Sequence, residues 1–183
     1  RIVNRALLTL ACSAMADAAP LTIGDPSFEG NTFTAGGWNN EIGPEWTGTN
    51  GTNNGSAFEE YAPNLTAADG TDHLGMESGY SVWQDLAVTY QANTRYTLTV
   101  AVGNRSGATQ SGNNSQYRLT GPSQQSGSPF ASGSYNASNV PVGTMADAPA
   151  LVLDTSVTTA AVGKTIRILL RARSNNGTTA GRS

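Results

Sequence analysis

Charged residues, cysteine and histidine are scarce in this chain of 183 residues, and each scarcity excludes a class of protein. Asp, Glu, Lys and Arg together make up 13% of the sequence, and Lys164 is the only lysine. The sequence pI is near 5.0. Nucleic-acid binding requires a basic surface, so we expect no nucleic-acid partner.

Cys12 and His73 are the only cysteine and histidine. Because Cys12 lies in an N-terminal leader, a mature domain would contain no disulfide and no Cys/His metal framework. One histidine also gives no recognisable Ser-His-Asp arrangement. Glycoside hydrolysis needs two carboxylates flanking one cleft, and no spacing pairs the available glutamates. These are Glu41, Glu45, Glu59, Glu60 and Glu77. We therefore predict that the chain is not an enzyme, and a polysaccharide-acting enzyme is the less favoured alternative.

Residues 1–19 have the pattern of a secretory signal peptide. Arg1 and Arg5 precede an apolar run from Ala6 to Met15, and Ala16-Asp17-Ala18 is a small-x-small cleavage signal. The pattern predicts a protein that is secreted, extracellular or at the cell surface. An amphipathic N-terminal helix belonging to the fold is the alternative. The apolar run is too short to cross a bilayer permanently, so we expect no transmembrane segment.

The remaining chain, residues 20–183, predicts one all-β domain built as an antiparallel β-sandwich. Gly, Asn, Ser and Thr dominate the turns, and several segments alternate between apolar and polar residues. We predict a first strand within 21–33, short strands at 58–61, 116–120 and from 151, and a last strand at 165–173. Segments 80–90 and 95–102 alternate on either side of a four-residue turn, which predicts a β-hairpin.

Aromatic residues and arginines are the candidate binding residues. Trp38 and Trp46 lie in a Gly-rich segment, where they either pack under a long loop or form a stacking platform for a sugar. Tyr61 and Trp83 are further candidates for carbohydrate contacts. In the last strand, alternation directs Arg167, Leu169, Arg171 and Arg173 outward. The arginines belong either to a solvated sheet face or to a surface that binds polar or acidic glycans.

Several motifs in order carry a resemblance to a known family. They are DPSFEG at residues 25–30, then GW, EWTG and DG, followed by VWQDL, ANTRYTLTVAVGNR and IRILLRARS. This series resembles bacterial secreted jelly-roll domains of the galactose-binding-like type, which are related to carbohydrate-binding modules and occur in proteins with a PEP-CTERM sorting signal. The resemblance covers residues 23–183.

The resemblance implies a jelly roll with a structural Ca²⁺ ion bound by Glu29. In such domains a carboxylate from the final strand, in a Phe-Asp-Asn-Val-like segment, completes the calcium site. That segment would be expected after Ser183, so we expect residues 20–183 to form a domain without its last strand.

The functional hypothesis from the sequence is a non-catalytic module of the cell surface that binds a polysaccharide or an extracellular matrix glycan. The alternative is a structural or filament-forming surface protein that binds no sugar. An incomplete sheet edge would favour self-association in that case, because unpaired strand groups recruit another strand.

Overall fold

The computed structural model describes residues 20–31, 33–39, 42–48, 57–61, 64–76, 79–105, 113–123 and 128–174. The predicted signal peptide at residues 1–19 lies outside this part of the chain, so export remains a prediction. No helix among the described residues is long and apolar enough to cross a membrane.

The described residues form twelve strands and two short 3-10 helices, and every strand pairing is antiparallel. The strands are β1 Trp38–Asn39, β2 Thr47–Gly48, β3 Ala57–Glu60, β4 His73–Met76, β5 Ser81–Thr89, β6 Arg95–Leu98, β7 Ala101–Asn104, β8 Asn113–Thr120, β9 Ala131–Asn136, β10 Thr144–Asp147, β11 Leu151–Asp154 and β12 Thr165–Ser174. The 3-10 helices are Ala137–Asn139 and Thr159–Ala161.

A five-stranded sheet in the order β2-β5-β12-β8-β9 forms one layer of a sandwich. A three-stranded sheet, β1-β3-β4, and the pairs β6-β11 and β7-β10 provide the strands that pack against it. One apolar cluster joins the layers, with inward side chains such as Val82, Tyr117 and Ile168 from the large sheet and Leu98 and Leu153 from the pairs. The predicted all-β antiparallel sandwich is confirmed, and the core lies between its layers.

The predicted hairpin between segments 80–90 and 95–102 is wrong. β5 pairs with β2 and β12, whereas β6 pairs with β11, so the chain crosses between layers at residues 90–94. Thr155 fixes this crossing, because its hydroxyl accepts the N–H of Thr94 at 2.8 Å and donates to the carbonyl of Gln91 at 2.6 Å. Alternation indicates which residues form a strand, but it does not select the partner strand.

The predicted first strand within 21–33 is also absent from the described residues, which form turns and bends there. Asp25 and Phe28 have positive φ angles of 42° and 61°. The Asp25 carboxylate accepts the N–H groups of Glu29 at 2.7 Å and Gly30 at 3.1 Å. An aspartate that satisfies nearby backbone donors in this way competes with strand formation. The segment is therefore a loop closed by its own side chain.

Both faces of β12 are buried near its centre, although the sequence predicts an outward face there. Leu169 is 1% exposed and Arg167 is 7% exposed. Leu169 lies outside the apolar cluster between the layers. We call the face of the five-stranded sheet that carries Trp83, Arg167 and Leu169 the outer face.

Candidate functional site

Glu60 and His73 form a buried hydrogen-bonded pair across the small sheet. They lie directly opposite each other in the β3–β4 register, so their side chains share one face. His73 Nε2 lies 3.0 Å from Glu60 Oε1, and each residue is 5% exposed. A carboxylate only accepts, so this contact is a hydrogen bond in the forms of the imidazole that carry a proton on Nε2.

Arg105, which follows β7, completes this cluster. Its Nη1 donates to the same Glu60 oxygen at 2.8 Å. A guanidinium beside a buried carboxylate offsets part of the cost of removing that charge from water. Glu60 is thus held from two sides, by the Arg105 cation that follows β7 and by the imidazole from β4.

The second imidazole nitrogen of His73 distinguishes this cluster from a simple structural ion pair. His73 Nδ1 is buried and has no hydrogen-bond partner among the described residues. A buried polar atom without a partner costs free energy, so such atoms are rare and often serve a ligand or a reaction. With Nε2 bound to a carboxylate, Nδ1 is the atom of this ring that can exchange a proton with a bound molecule.

Glu29 joins the 25–30 loop to the turn at residues 69–72. Its Oε1 accepts the N–H groups of Thr71 and Asp72, each at 2.7 Å, and its Oε2 lies 3.3 Å from the Thr71 hydroxyl. Gly70, with φ of 68°, lies against the Glu29 carboxylate, and a Cβ atom there would overlap it. Glu29, the predicted calcium ligand, is exposed. Its carboxylate caps the turn by accepting backbone N–H groups.

Two buried carboxyls lie near Glu29 or its loop. Burial raises the pKa of Asp72, and the charge of Glu29 adds to the rise, although a hydrogen bond from Thr71 opposes it. Burial also raises the pKa of Glu59, against hydrogen bonds from the Gly43 N–H and the Asn31 amide, both at 2.6 Å. No group of three or more His, Cys, Asp or Glu side chains within the described ranges is arranged to hold a metal ion.

The predicted aromatic contacts with described side chains lie in different parts of the fold. Trp46 is buried in the core, donates from Nε1 to the Asp25 carbonyl at 2.9 Å, and stacks at 5.0 Å against Phe28. Trp83 lies on the outer face, opposite Thr47, which places it on the other side of the sheet from Trp46. Tyr61 is half-buried after β3. The backbone of Trp38 pairs with Glu60, while its side chain lies outside the described part.

The three predicted arginines of β12 have different environments. Arg167 forms a two-pronged ion pair with Asp85, at 2.6 and 2.7 Å, and donates to the Pro122 carbonyl at 2.9 Å. Its guanidinium lies 5.3 Å from the centre of the Trp83 ring. Arg171 is half-buried and Arg173 is exposed. Arg167 is therefore saturated by partners within the chain, whereas Arg171 and Arg173 extend along the same face.

Comparisons with known proteins identify the relatives of this fold. Residues 19–180 match the HpiC1-like family model, described as HpiC1 cyclase. A similar solved structure is a Stig cyclase, Fisc, from Fischerella sp. TAU in complex with (3Z)-3-(1-methyl-2-pyrrolidinylidene)-3H-indole. Its sequence is 18% identical, and the match covers 85% of this chain and 88% of that chain with a TM-score of 0.64.

A second similar structure is a cyclase from Fischerella sp. TAU in complex with 4-(1H-indol-3-yl)butan-2-one. It is 18% identical, with 86% of this chain and 89% of that chain covered and a TM-score of 0.65. At this identity the two likenesses establish a common fold. No curated protein matches the chain with significance.

The family match corrects the functional expectations from the sequence. The assignment to galactose-binding-like, PEP-CTERM-associated domains is wrong, and so are the non-catalytic function and the polysaccharide or matrix glycan partner. The prediction of no enzyme rested on the lack of a paired constellation along the sequence. The structure does contain such a constellation, made of Glu60, His73 and Arg105. It forms because β3 and β4 pair in register and β7 ends beside them. Linear spacing carries no signal for that juxtaposition.

Proposed function

Because the chain belongs to the HpiC1-like cyclase family, we propose that it is an enzyme that closes a ring in a small indole-bearing molecule. The two similar structures hold indole ligands, which supports the substrate class. The observation that carries the catalytic assignment is the buried, unpartnered Nδ1 of His73 beside the Glu60–Arg105 ion pair. Proton transfer by a positioned side chain is a common way to start a ring closure.

The proposed reaction is an isomerisation. His73 in its protonated form donates the Nδ1 proton to an alkene carbon of the substrate, and the resulting carbocation is attacked by the indole ring. The resulting indoleninium cation then loses the proton from the attacked ring carbon to His73 Nδ1, which restores aromaticity and regenerates the protonated imidazole. Product and substrate therefore have the same mass. Glu60 stabilises the imidazolium and orients the ring, and Arg105 positions Glu60.

The burial of Glu60 and His73 supports this chemistry. A carbocation that meets bulk water is captured as an alcohol, so ring closure requires a site from which water is excluded. Glu60 and His73 are each 5% exposed, which fits that requirement. The low-dielectric surroundings also strengthen the interaction between Glu60 and the imidazolium.

We expect His73→Gln to lower the rate of ring closure by roughly 100-fold or more, since positioned proton transfer contributes about 10²–10⁴. Glu60→Gln keeps the hydrogen-bonding shape but removes the charge, so a smaller loss is expected. The assay is chromatography with mass detection of an isomeric product from indoles that carry an alkenyl side chain. Asp154→Asn changes an exposed carboxylate bound to Ser156 and is the control. An unchanged rate in His73→Gln would remove His73 from the mechanism.

We further propose that Glu29 binds a structural Ca²⁺ ion. Glu29 Oε2 has one long contact, to the Thr71 hydroxyl at 3.3 Å, so it retains acceptor capacity. Burial is the main cause of the raised pKa of Asp72, and the charges of Glu29 and Asp25 add to the rise. A divalent cation would offset the repulsion among these carboxylates. Calcium takes roughly six to eight oxygen ligands, and backbone carbonyls and waters supply those that carboxylates do not.

The calcium proposal predicts a higher melting temperature in millimolar CaCl₂ than in EGTA for the wild-type chain. The shift should be several degrees, because a ligand that binds only the folded state stabilises it by mass action. Glu29→Gln should abolish most of the shift, and MgCl₂ should produce less of it. Equal melting temperatures with and without calcium would refute a calcium site at Glu29.

A further inference from the structure

Three arginines form a cluster on the outer face of the five-stranded sheet. Arg118 lies on β8, and Arg171 and Arg173 lie on the neighbouring β12. Arg118 is opposite Leu169, and Arg171 is opposite Gln116, so these side chains occupy adjacent rows of one face. The cluster consists of Arg118, Arg171 and Arg173, and Leu169 lies among them, 1% exposed.

Two guanidinium groups of the cluster contain buried donors without acceptors. The Nε atoms of Arg118 and Arg171 are buried, and neither has a hydrogen-bond partner in the described part of the chain. Arg118 Nη2 donates to the Gln116 side-chain oxygen at 3.1 Å, which fixes one side of its guanidinium. Buried arginine donors are normally paired because removing them from water otherwise costs free energy.

Within the described part of the chain, no carboxylate forms an ion pair with the cluster. Asp85, a carboxylate on this face, forms a two-pronged ion pair with Arg167. The sequence contains no Asp or Glu between Asp85 and Asp147, and none after Asp154, so β8, β9 and β12 bring no carboxylate to the face. Burial together with the charges of Arg171 and Arg173 lowers the pKa of Arg118. Three cations thus repel one another on a partly desolvated surface, and an anion would relieve this repulsion.

We propose that Arg118, Arg171 and Arg173 form a binding site for an oxyanion, namely the phosphate or carboxylate group of a small molecule. The guanidinium edge that contains Nε matches two oxygens of such a group, and in two of these edges the Nε donor has no partner among the described residues. Arg173 is exposed, so the site is open to solvent at one end. These residues differ from the Glu60–His73–Arg105 cluster, and the proposal does not depend on the cyclase activity.

Titration calorimetry on the wild-type chain tests the site directly. The probes are inorganic phosphate, pyrophosphate and malonate, each compared with NaCl at equal ionic strength. We expect saturable binding of at least one oxyanion, and the ranking of phosphate probes against malonate identifies the preferred group. The Nε–H resonances of Arg118 and Arg171 should shift on binding in a ¹⁵N NMR titration. Heat signals and resonances that match the NaCl control would overturn the proposal.

Variants distinguish a specific oxyanion site from non-specific attraction by the positive charges of the arginines. Arg118→Gln and Arg171→Gln should each weaken oxyanion binding by 10-fold or more. Arg171→Lys should also weaken it, because a lysine retains the charge and loses the planar fork. Arg95→Gln removes an exposed cation on β6 and is the matched control. Equal affinity in Arg171→Lys, Arg95→Gln and the wild-type chain would show an adventitious ion only. The NMR titration of the wild-type chain decides the matter if a glutamine variant does not fold.

Discussion

The buried acidic side chains of this chain differ in their hydrogen-bond and ion-pair partners. Glu60 is paired with Arg105 and His73, so its charge has partners inside the protein. Glu59 accepts hydrogen bonds from neutral donors, and Asp72 accepts one from a hydroxyl. Burial therefore raises the pKa of Glu59 and of Asp72. The cation beside Glu60 is what distinguishes the proposed catalytic pair from the other buried carboxyls.

The raised pKa of Asp72 predicts a pH-dependent stability in EGTA. Folded Asp72 binds its proton more tightly than unfolded Asp72, so the folded state holds more protons between pH 3.8 and the raised pKa. The free energy of unfolding of the wild-type chain, relative to Asp72→Asn, must then fall as pH rises through that interval. One proton limits the slope to about 1.4 kcal/mol per pH unit. Urea unfolding of both proteins at several pH values measures it.

Asp154→Asn is the contrasting variant for this experiment. Hydrogen bonds from the hydroxyl and N–H of Ser156 lower the pKa of Asp154. The contribution of Asp154 to stability should therefore be present above pH 3.8 and be lost as pH falls, which is the opposite slope. A wild-type advantage over Asp72→Asn that grows with pH would contradict the burial argument.

Strand positions were predictable from the sequence, whereas strand partners were not. β5, β11 and β12 lie close to segments 80–90, 151–153 and 165–173, because alternation over several residues indicates a strand. The predicted strand at 95–102 is divided into β6 and β7, which pair with β11 and β10. These strand pairings depend on contacts between residues distant in sequence, such as those of the Thr155 hydroxyl with Gln91 and Thr94. The alternation of apolar and polar residues contains no information about such contacts.

The candidate site was even less predictable. Glu29 belongs to the motif at residues 25–30, and the structure places it in a loop where its carboxylate accepts backbone donors of the turn before β4. For His73, the sequence alone shows no recognisable catalytic arrangement. Its partners Glu60 and Arg105 are 13 residues before it and 32 residues after it, and the β3–β4 register and the end of β7 bring them together.

Gly133 on β9 is required by the packing of Tyr117 on β8. The two residues are register partners, and a Cβ atom at position 133 would lie 2.6 Å from Tyr117 Cζ and 2.9 Å from its hydroxyl. The ring cannot move away easily, since it is 1% exposed and its hydroxyl donates to the Pro149 carbonyl at 2.7 Å. Gly133→Ala should therefore lower the free energy of unfolding by about 1–3 kcal/mol, as overpacking does.

Gly121→Ala is the control for this prediction, because its Cβ would lie 3.6 Å from Phe130, an ordinary contact distance. Chemical denaturation of both variants measures the difference. A Gly133→Ala protein as stable as Gly121→Ala would show that the Tyr117 ring has room to shift.

At the scale of the whole molecule, the sandwich supports two chemically different regions. Glu29, Glu59, Glu60 and Asp72 belong to the first half of the chain, and the arginine cluster belongs to the second. The fold itself was predicted correctly, yet the inferred function was wrong. Jelly-roll sandwiches of similar pattern serve both binding modules and enzymes, so function is determined by the side chains mounted on the fold.

The most direct test of the account is ring closure in D₂O. An alkenyl indole incubated with the wild-type chain should give an isomeric product that carries one deuterium at the carbon protonated by His73, and His73→Gln should form it roughly 100-fold more slowly. Mass spectrometry and NMR locate the label. A ring-closed product without deuterium, or equal rates in both proteins, would contradict proton transfer by His73 as the step that starts cyclisation.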